Sequence, residues 1–166
     1  MPSKAKSIQP EDPEEQLATF IAKFDPPMVQ LIRTVRSALR KRLPTANEIV
    51  YDNYNFFVIG YCSTERTSDC ILSMAANAKG IILSFYYGAT LPDPAGILQG
   101  SGSQNRFFRI ARAQDLSKPE NEALIAAAVN QAKTPLPEKG KGRLIIRSIS
   151  AKQRPRRLPA KSAKKK

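Results

Sequence analysis

The chain contains no histidine, no tryptophan and only two cysteines among its 166 residues. Without histidine, Cys/His zinc sites, Ser-His and Cys-His nucleophile pairs, and any histidine general base are excluded. The two cysteines, Cys62 and Cys70, flank the segment STERTSD at residues 63–69. If that segment closes a hairpin, the thiols could face each other and oxidise. In a reducing compartment the preferred interpretation is two semi-buried thiols.

Long apolar runs are also missing. No stretch approaches the roughly 20 apolar residues that a membrane-spanning helix needs. The polar start MPSKAKSIQPEDPEEQ lacks the apolar segment of a secretory signal. These absences predict a cytoplasmic protein that does not associate with a membrane.

The net charge of +13 is concentrated at the ends of the chain. Residues 11–133 carry thirteen basic and thirteen acidic side chains, so that part is neutral. Residues 134–166 carry twelve basic side chains against the single acid Glu138. The net positive charge therefore belongs to the two ends of the chain, and the central part has no net charge.

One folded domain is predicted at residues 12–150, between a disordered N-terminus (1–11) and a disordered basic tail (151–166). A domain of this length can bury enough surface for a hydrophobic core. The tail holds eight cations and no acid, which predicts sequence-independent attraction to nucleic acid. These cations are Lys152, Arg154, Arg156, Arg157, Lys161, Lys164, Lys165 and Lys166.

Two N-terminal helices are predicted from a repeated cap-and-proline pattern. Asp12 precedes Pro13 and Asp25 precedes Pro26, an arrangement typical of the cap and first position of a helix. Apolar side chains then recur at helical spacing in both segments. A third helix is predicted to open at Ser117.

Charged clusters on the first two helices each allow two interpretations. The acidic cluster of the first helix comprises Glu11, Asp12, Glu14 and Glu15. It could be a metal patch, but a helix N-terminus favours carboxylates electrostatically, and we prefer that structural interpretation. The second helix carries a stripe of Arg33, Arg36 and Arg40. A phosphate-binding stripe is the functional alternative, and a solvated face is preferred.

From residue 47 the apolar period changes from helical to strand-like. The predicted strands cover residues 48–52, 56–61, 70–76, 81–87 and 106–112, with a sixth candidate at 143–149. Short links between the first four imply antiparallel hairpins. The predicted fold class is α+β, with two layers. An antiparallel sheet of about five to six strands has two N-terminal helices and one C-terminal helix packed on one side.

The nineteen residues 88–106, GATLPDPAGILQGSGSQNR, form a loop longer than compact domains usually carry without a function or a short helix. Residues 95–99 are predicted to form one helical turn after Asp93. The GSGS segment at residues 100–103 lacks the remaining residues of a phosphate loop, and a plain turn is preferred. This loop is the predicted rim of a binding site.

A ligand pocket is predicted between this loop and the turn at residues 51–55. Its candidate residues are Tyr51, Asn53, Tyr54, Tyr87 and Arg106. Tyrosine and asparagine offer stacking and hydrogen bonds, and arginine offers a fork for an anion. The predicted ligand is a small molecule or a peptide.

Three stretches, EIVYDNYNFFVIGYCSTERTSDCILSMA, ILSFYYGATLPDP and LQGSGSQNRFFRI, resemble the YdhG-like family of small bacterial cytosolic domains. The resemblance covers about two thirds of the chain and implies a two-layer α+β fold. One branch of that family is described as a frataxin-like iron chaperone, which would make acidic helix residues the metal donors. This chain has Asp52, Asn53 and Tyr54 where those relatives typically have Gly-Met-Pro.

The first functional hypothesis is a non-enzymatic binding domain with an unknown ligand. The alternatives are nucleic-acid association through the basic tail and frataxin-like iron carriage. An enzyme is the least favoured class, because Glu48 and Asp52, at i and i+4 of one strand, merely share a face. No catalytic residue, metal ligand or cofactor is predicted, and the oligomeric state is left open.

Overall fold

The computed structural model describes residues 11–160, which form three helices and one six-stranded sheet. The helices are α1 (Pro13–Ile21), α2 (Pro26–Arg42) and α3 (Pro119–Asn130). The strands are β1 (Asn47–Asp52), β2 (Phe57–Cys62), β3 (Cys70–Asn77), β4 (Gly80–Phe85), β5 (Arg106–Ile110) and β6 (Leu144–Ile149). The predicted α+β class is confirmed. Within residues 11–160 no helix is long and apolar enough to cross a membrane.

The first two helices begin where the sequence predicts, but their caps differ. The Asp12 carboxylate accepts a hydrogen bond from the backbone N–H of Glu14 at 3.3 Å, as an N-cap should. The Asp25 carboxylate does not cap α2. It accepts instead from the backbone N–H of Leu158 at 3.3 Å. The α1–α2 link therefore contacts the C-terminal segment of the chain.

The sheet has the strand order β5-β4-β3-β2-β1-β6. Strands β1 to β5 pair antiparallel with their sequence neighbours, across short links between β1 and β4 and across the long loop between β4 and β5. Strand β6 returns after α3 and pairs parallel with β1. The sheet is therefore antiparallel, as predicted, except at its β6 edge, where it is mixed. Because a helix and a long linker separate β6 from the hairpins, the last strand is free to run in either direction.

All three helices pack on one face of the sheet, where the main core lies. Its largest fully buried side chains include Phe24, Phe57, Tyr61 and Phe85. Fully burying one large apolar side chain contributes about 1.5–3 kcal/mol, so this layer supplies the main stabilisation of the domain. A small second cluster, of Ile49, Cys62 and Cys70 with Tyr51 packed against it, lies apart from the main core.

Residues 151–160 do not form the disordered tail that the composition predicts. The backbone N–H of Arg154 donates to the carbonyl oxygen of Tyr54 at 2.9 Å. The Arg156 side chain is 2% exposed and pairs with Asp52. A composition rich in Lys, Arg and Pro indicates disorder only when its cations find no buried partner. The remaining tail cations, Lys161, Lys164, Lys165 and Lys166, lie outside the described residues, as do residues 1–10.

Candidate functional site

Residues 53 and 54, in the β1–β2 turn, lie at the opposite end of the sheet from the long loop. Asp52 pairs with Phe57, and Phe57 pairs with Ala76, so the β1–β2 turn lies beside the β3–β4 turn. Phe85, where the chain leaves β4 towards the long loop, pairs with Leu72 at the other end. The structure therefore does not bring Asn53, Tyr54 and Arg106 into one pocket.

Two of the predicted ligand residues bind the β2–β3 loop (residues 63–69) instead. The hydroxyl of Tyr51 lies 2.9 Å from the Thr67 hydroxyl oxygen. The hydroxyl of Tyr87 donates to the carbonyl oxygen of Ser68 at 3.0 Å. Both tyrosine hydroxyls thus contact neighbouring residues of the same loop.

The other three predicted ligand residues also have partners within the chain. The Asn53 side-chain oxygen accepts a hydrogen bond from Ser148 at 3.2 Å. Tyr54 is 48% exposed, and the Arg154 guanidinium lies 5.6 Å from the centre of its ring. Arg106 donates from Nη1 to the carbonyl oxygens of residues 102 and 105, within its own loop.

The long loop at residues 88–106 is closed by its own contacts. The Asp93 carboxylate accepts from the backbone N–H groups of Ile97 and Leu98 at 3.0 and 2.9 Å. Leu91 is buried in the core, and Gln99 bridges to Phe107. The predicted helical turn at residues 95–99 is absent, and the segment forms a tight turn in which the backbone N–H of Gly96 donates to the carbonyl oxygen of Asp93 at 3.1 Å. The loop packs against the domain through Leu91, Ile97 and Leu98.

A groove of about 730 Å³ lies elsewhere, between α1, α2 and the linker residues 140–142. Its floor is apolar and includes Leu17, Ile21, Leu43 and Ala46. Its volume falls within the range typical of small-molecule sites. We call it the α1–α2 groove.

The linker closes one side of this groove because it carries glycine at residue 142. The backbone N–H of Gly142 donates to the carbonyl oxygen of Pro44 at 3.1 Å. A Cβ at this position would stand 1.6 Å from the carbonyl oxygen of Ala46. Only glycine therefore lets the linker approach the end of α2 this closely.

A buried carboxylate, Glu48, anchors the ion pairs of the groove. Its residue is 5% exposed, and its oxygens accept from Arg36 Nε and Nη2, both at 2.9 Å. The Tyr61 hydroxyl donates to Glu48 Oε2 at 3.0 Å, and Arg40 Nε lies 3.6 Å from Oε1. Burial and the Glu48 charge raise the pKa of Tyr61, so its hydroxyl stays protonated as the donor.

Glu14 is the second carboxylate on Arg36. It accepts from Nη1 at 3.0 Å and from Nη2 at 2.8 Å, which makes a bidentate pair. This hydrogen bonding lowers the pKa of Glu14. Burial alone would lower the pKa of Arg36, but its bonds to Glu48 and Glu14 raise it instead. The Glu14 side chain is 50% exposed, so it is the replaceable partner of Arg36.

The groove carries an excess of positive charge. Five cations line it, namely Arg33, Arg36, Arg40, Lys41 and Lys141, against two carboxylates, Glu14 and Glu48. Among the described residues, Arg33, Lys41 and Lys141 form no ion pair within 4.0 Å. Both carboxylates are occupied by guanidinium groups, so the open charge is cationic. The arrangement can attract and hold an anion.

The stripe on α2 is the sequence signal that points to this site. Arg33, Arg36 and Arg40 were expected on a solvated face, and that interpretation is wrong for Arg36, whose side chain is 13% exposed. Glu48 and Lys141 carry no local signal of the site. They reach it only because β1 and the linker pack against α2.

The carboxylates considered as metal ligands or as an acid/base pair are dispersed. Asp12 caps α1 and Glu14 binds Arg36. Glu48 and Asp52 share the helix-facing side of β1, but Asp52 binds Lys23 and Arg156, not the groove cations. Within the described part of the chain, no group of three or more His, Cys, Asp or Glu residues could hold a metal ion.

No protein-family model, curated protein or solved structure matches this chain. The resemblance to the YdhG-like family therefore stays a prediction. The geometry of the α1–α2 groove carries the functional argument.

Proposed function

We propose that this protein is a non-enzymatic binding domain that holds a small anionic molecule with an apolar portion in the α1–α2 groove. The observation that carries the proposal is the combination of an apolar floor with three cations that lack ion-pair partners within the described residues. Polar ligand groups bind where charged side chains converge, and the apolar body of a ligand fills the floor. The proposed family is YdhG-like.

Arg36 adds a fork to this site. Its guanidinium binds the buried Glu48 and the half-exposed Glu14. An incoming carboxylate or phosphate can replace Glu14 on the outer edge of the fork while Glu48 keeps the inner edge. A bidentate guanidinium contact gives both affinity and orientation to such a group.

The test uses phenyl phosphate, which combines an anion with an apolar ring, in isothermal titration calorimetry. The protein should bind it, and the double variant Arg33→Ala/Lys141→Ala should bind at least about tenfold more weakly, a change of about 1.4 kcal/mol. Both side chains are exposed and unpaired within the described residues, so their loss should not disturb the fold.

The matched control is Lys79→Ala/Arg109→Ala, which removes two exposed cations outside the groove. It should bind phenyl phosphate as the unmodified protein does. An equal loss of phenyl phosphate affinity in both double variants would contradict the groove as the site. So would a failure of the unmodified protein to bind phenyl phosphate.

Duplex DNA is the comparison ligand, since the alternative function is sequence-independent nucleic-acid association. Arg156 is buried, so the tail cannot present all eight of its cations to phosphates. DNA binding that a salt series weakens steeply, and that survives Arg33→Ala/Lys141→Ala, would favour the nucleic-acid alternative.

A further inference from the structure

Cys62 and Cys70 stand opposite each other across β2 and β3. They are register partners at the point where a bulge shifts the pairing between Tyr61 and Cys62. Directly opposed residues of an antiparallel pair have Cα atoms about 4.5–5.5 Å apart. A disulfide needs a Cα separation of about 4.4–6.8 Å. The register therefore places the two cysteines as direct cross-strand neighbours, an arrangement that a disulfide can span.

The two thiols also share one small environment. Both are free, both are buried, and both belong to the cluster with Ile49. Cys70 Sγ lies 3.4 Å from the Ser73 hydroxyl oxygen. The neighbouring Cys62 thiol lowers the pKa of Cys70, and burial beside Cys70 raises the pKa of Cys62. Cys70 is also the more exposed of the two, at 7% against 1%, and is therefore the better first nucleophile.

The β2–β3 loop between the cysteines is a junction for distant parts of the chain. Besides its bonds to Tyr51 and Tyr87, its residues 65 and 69 bind side chains from the linker and β6. The Arg143 guanidinium reaches the Glu65 carboxylate at 2.6 Å. Arg143 follows directly on the linker that closes the α1–α2 groove. A covalent bond at the base of this loop would therefore stiffen a junction that reaches the linker.

We propose that Cys62 and Cys70 are a redox modification site that forms a reversible intramolecular disulfide with a small-molecule disulfide as oxidant. The Cys70 thiolate attacks one sulfur of oxidised glutathione, whose S–S bond breaks and releases one glutathione thiolate. Cys62 then loses its proton and attacks the Cys70 sulfur, which expels the second glutathione. Two cysteine thiols are oxidised, and one glutathione disulfide is reduced to two thiols. This site does not depend on the proposed anion-binding function.

The test incubates the folded, reduced protein with excess oxidised glutathione. Thiol titration after acid quenching and denaturation should fall from two thiols per chain to none. Trypsin cuts after Arg66, between the cysteines, so the two resulting peptides should stay linked until dithiothreitol is added. The thermal midpoint of the oxidised protein should rise by at least about 3 °C and return on reduction.

Three variants sharpen the test. Cys62→Ser and Cys70→Ser should each abolish the linked peptides and the thermal shift. Tyr51→Phe, which removes the hydrogen bond to Thr67, should speed oxidation by letting the loop open more often. Two thiols that persist in the folded protein, glutathione adducts without the linked peptides, or linkage formed only in denaturant would each overturn the proposal.

Discussion

Asp52 and Arg156 form an ion pair that fastens the C-terminal segment to β1, with Oδ1 and Nη2 2.9 Å apart. Their side chains are 0% and 2% exposed. Lys23 binds the other oxygen of Asp52 at 2.7 Å, and the Arg156 guanidinium lies 6.0 Å from the centre of the Phe24 ring. The basic segment thus contributes a buried side chain to the folded domain.

Arg156→Ala should destabilise the protein by about 2 kcal/mol. Breaking a buried pair costs about 3–5 kcal/mol, and Lys23 retains part of the compensation for Asp52. Urea unfolding measures the change. Lys152→Ala, which removes an exposed cation of the same segment, should stay within about 0.5 kcal/mol. Equal effects of the two substitutions would show that the segment is not docked as described.

Gly142→Ala should destabilise the protein by about 2 kcal/mol or more, because a Cβ 1.6 Å from the Ala46 carbonyl oxygen forces the linker away from α2. The same substitution should weaken phenyl phosphate binding, since it opens one wall of the α1–α2 groove. Gly102→Ala is the matched control, because a Cβ there meets nothing within 4 Å and its φ is not positive. A neutral Gly142→Ala would contradict the close approach.

Tyr61→Phe should cost about 1.5–3 kcal/mol, the usual worth of a hydrogen bond to a charged group. The substitution removes the only hydroxyl that donates to the buried Glu48 among the described residues, and leaves the ring packed in the core. Thermal and urea unfolding measure the loss. Tyr54→Phe, on a 48% exposed tyrosine, should be nearly neutral.

Glu14→Gln should change how stability depends on pH. The pKa of Glu14 in the folded protein lies below its ordinary value of 4.5, because Arg36 binds the carboxylate. Its pair with Arg36 therefore stabilises the folded state above about pH 4.5 and is lost as the pH falls through the lowered pKa. The half-exposed pair is worth about 0.5 kcal/mol at neutral pH.

Urea unfolding at pH 7, 5 and 3 measures this dependence. The difference in unfolding free energy between the unmodified protein and Glu14→Gln should shrink towards pH 3. Glu15→Gln is the control, because Glu15 is exposed and forms no ion pair within the described residues. A difference that is constant over this range would refute the assignment of Glu14 to Arg36.

The two predicted helix caps, Asp12 and Asp25, show what a local sequence pattern can and cannot predict. Asp12 caps α1 as its spacing from Pro13 predicts. Asp25 stands before Pro26 in the same pattern, yet its carboxylate binds the backbone of Leu158, 133 residues away. Local chemistry predicts where both helices begin, but it does not predict which group a nearby carboxylate will bind.

Several of the predicted ligand residues lie apart for a related reason. Tyr51, Tyr54 and Arg106 have the chemistry of ligand contacts, but strand order separates the turn from the loop. Strand order depends on pairing between distant segments, which leaves no periodic signal in the chain. Helical spacing alone predicts the arginine stripe on α2. It does not predict that Glu48, on β1, pairs with one of these arginines.

By itself, the sequence determined the start of each N-terminal helix, the two hairpins and the apolar faces that meet in the core. Caps, turn residues and hydrophobic periods act over a few neighbouring residues, so these features can be seen before folding. Only the tertiary structure decided that β6 runs parallel to β1, that Arg156 is buried on Asp52, and that Glu14 and Glu48 converge on Arg36. Each of these features requires strands or charged side chains from distant segments to come into contact and to be removed from solvent. The free energy of such a pair is set by desolvation and geometry, which residue type and spacing do not encode.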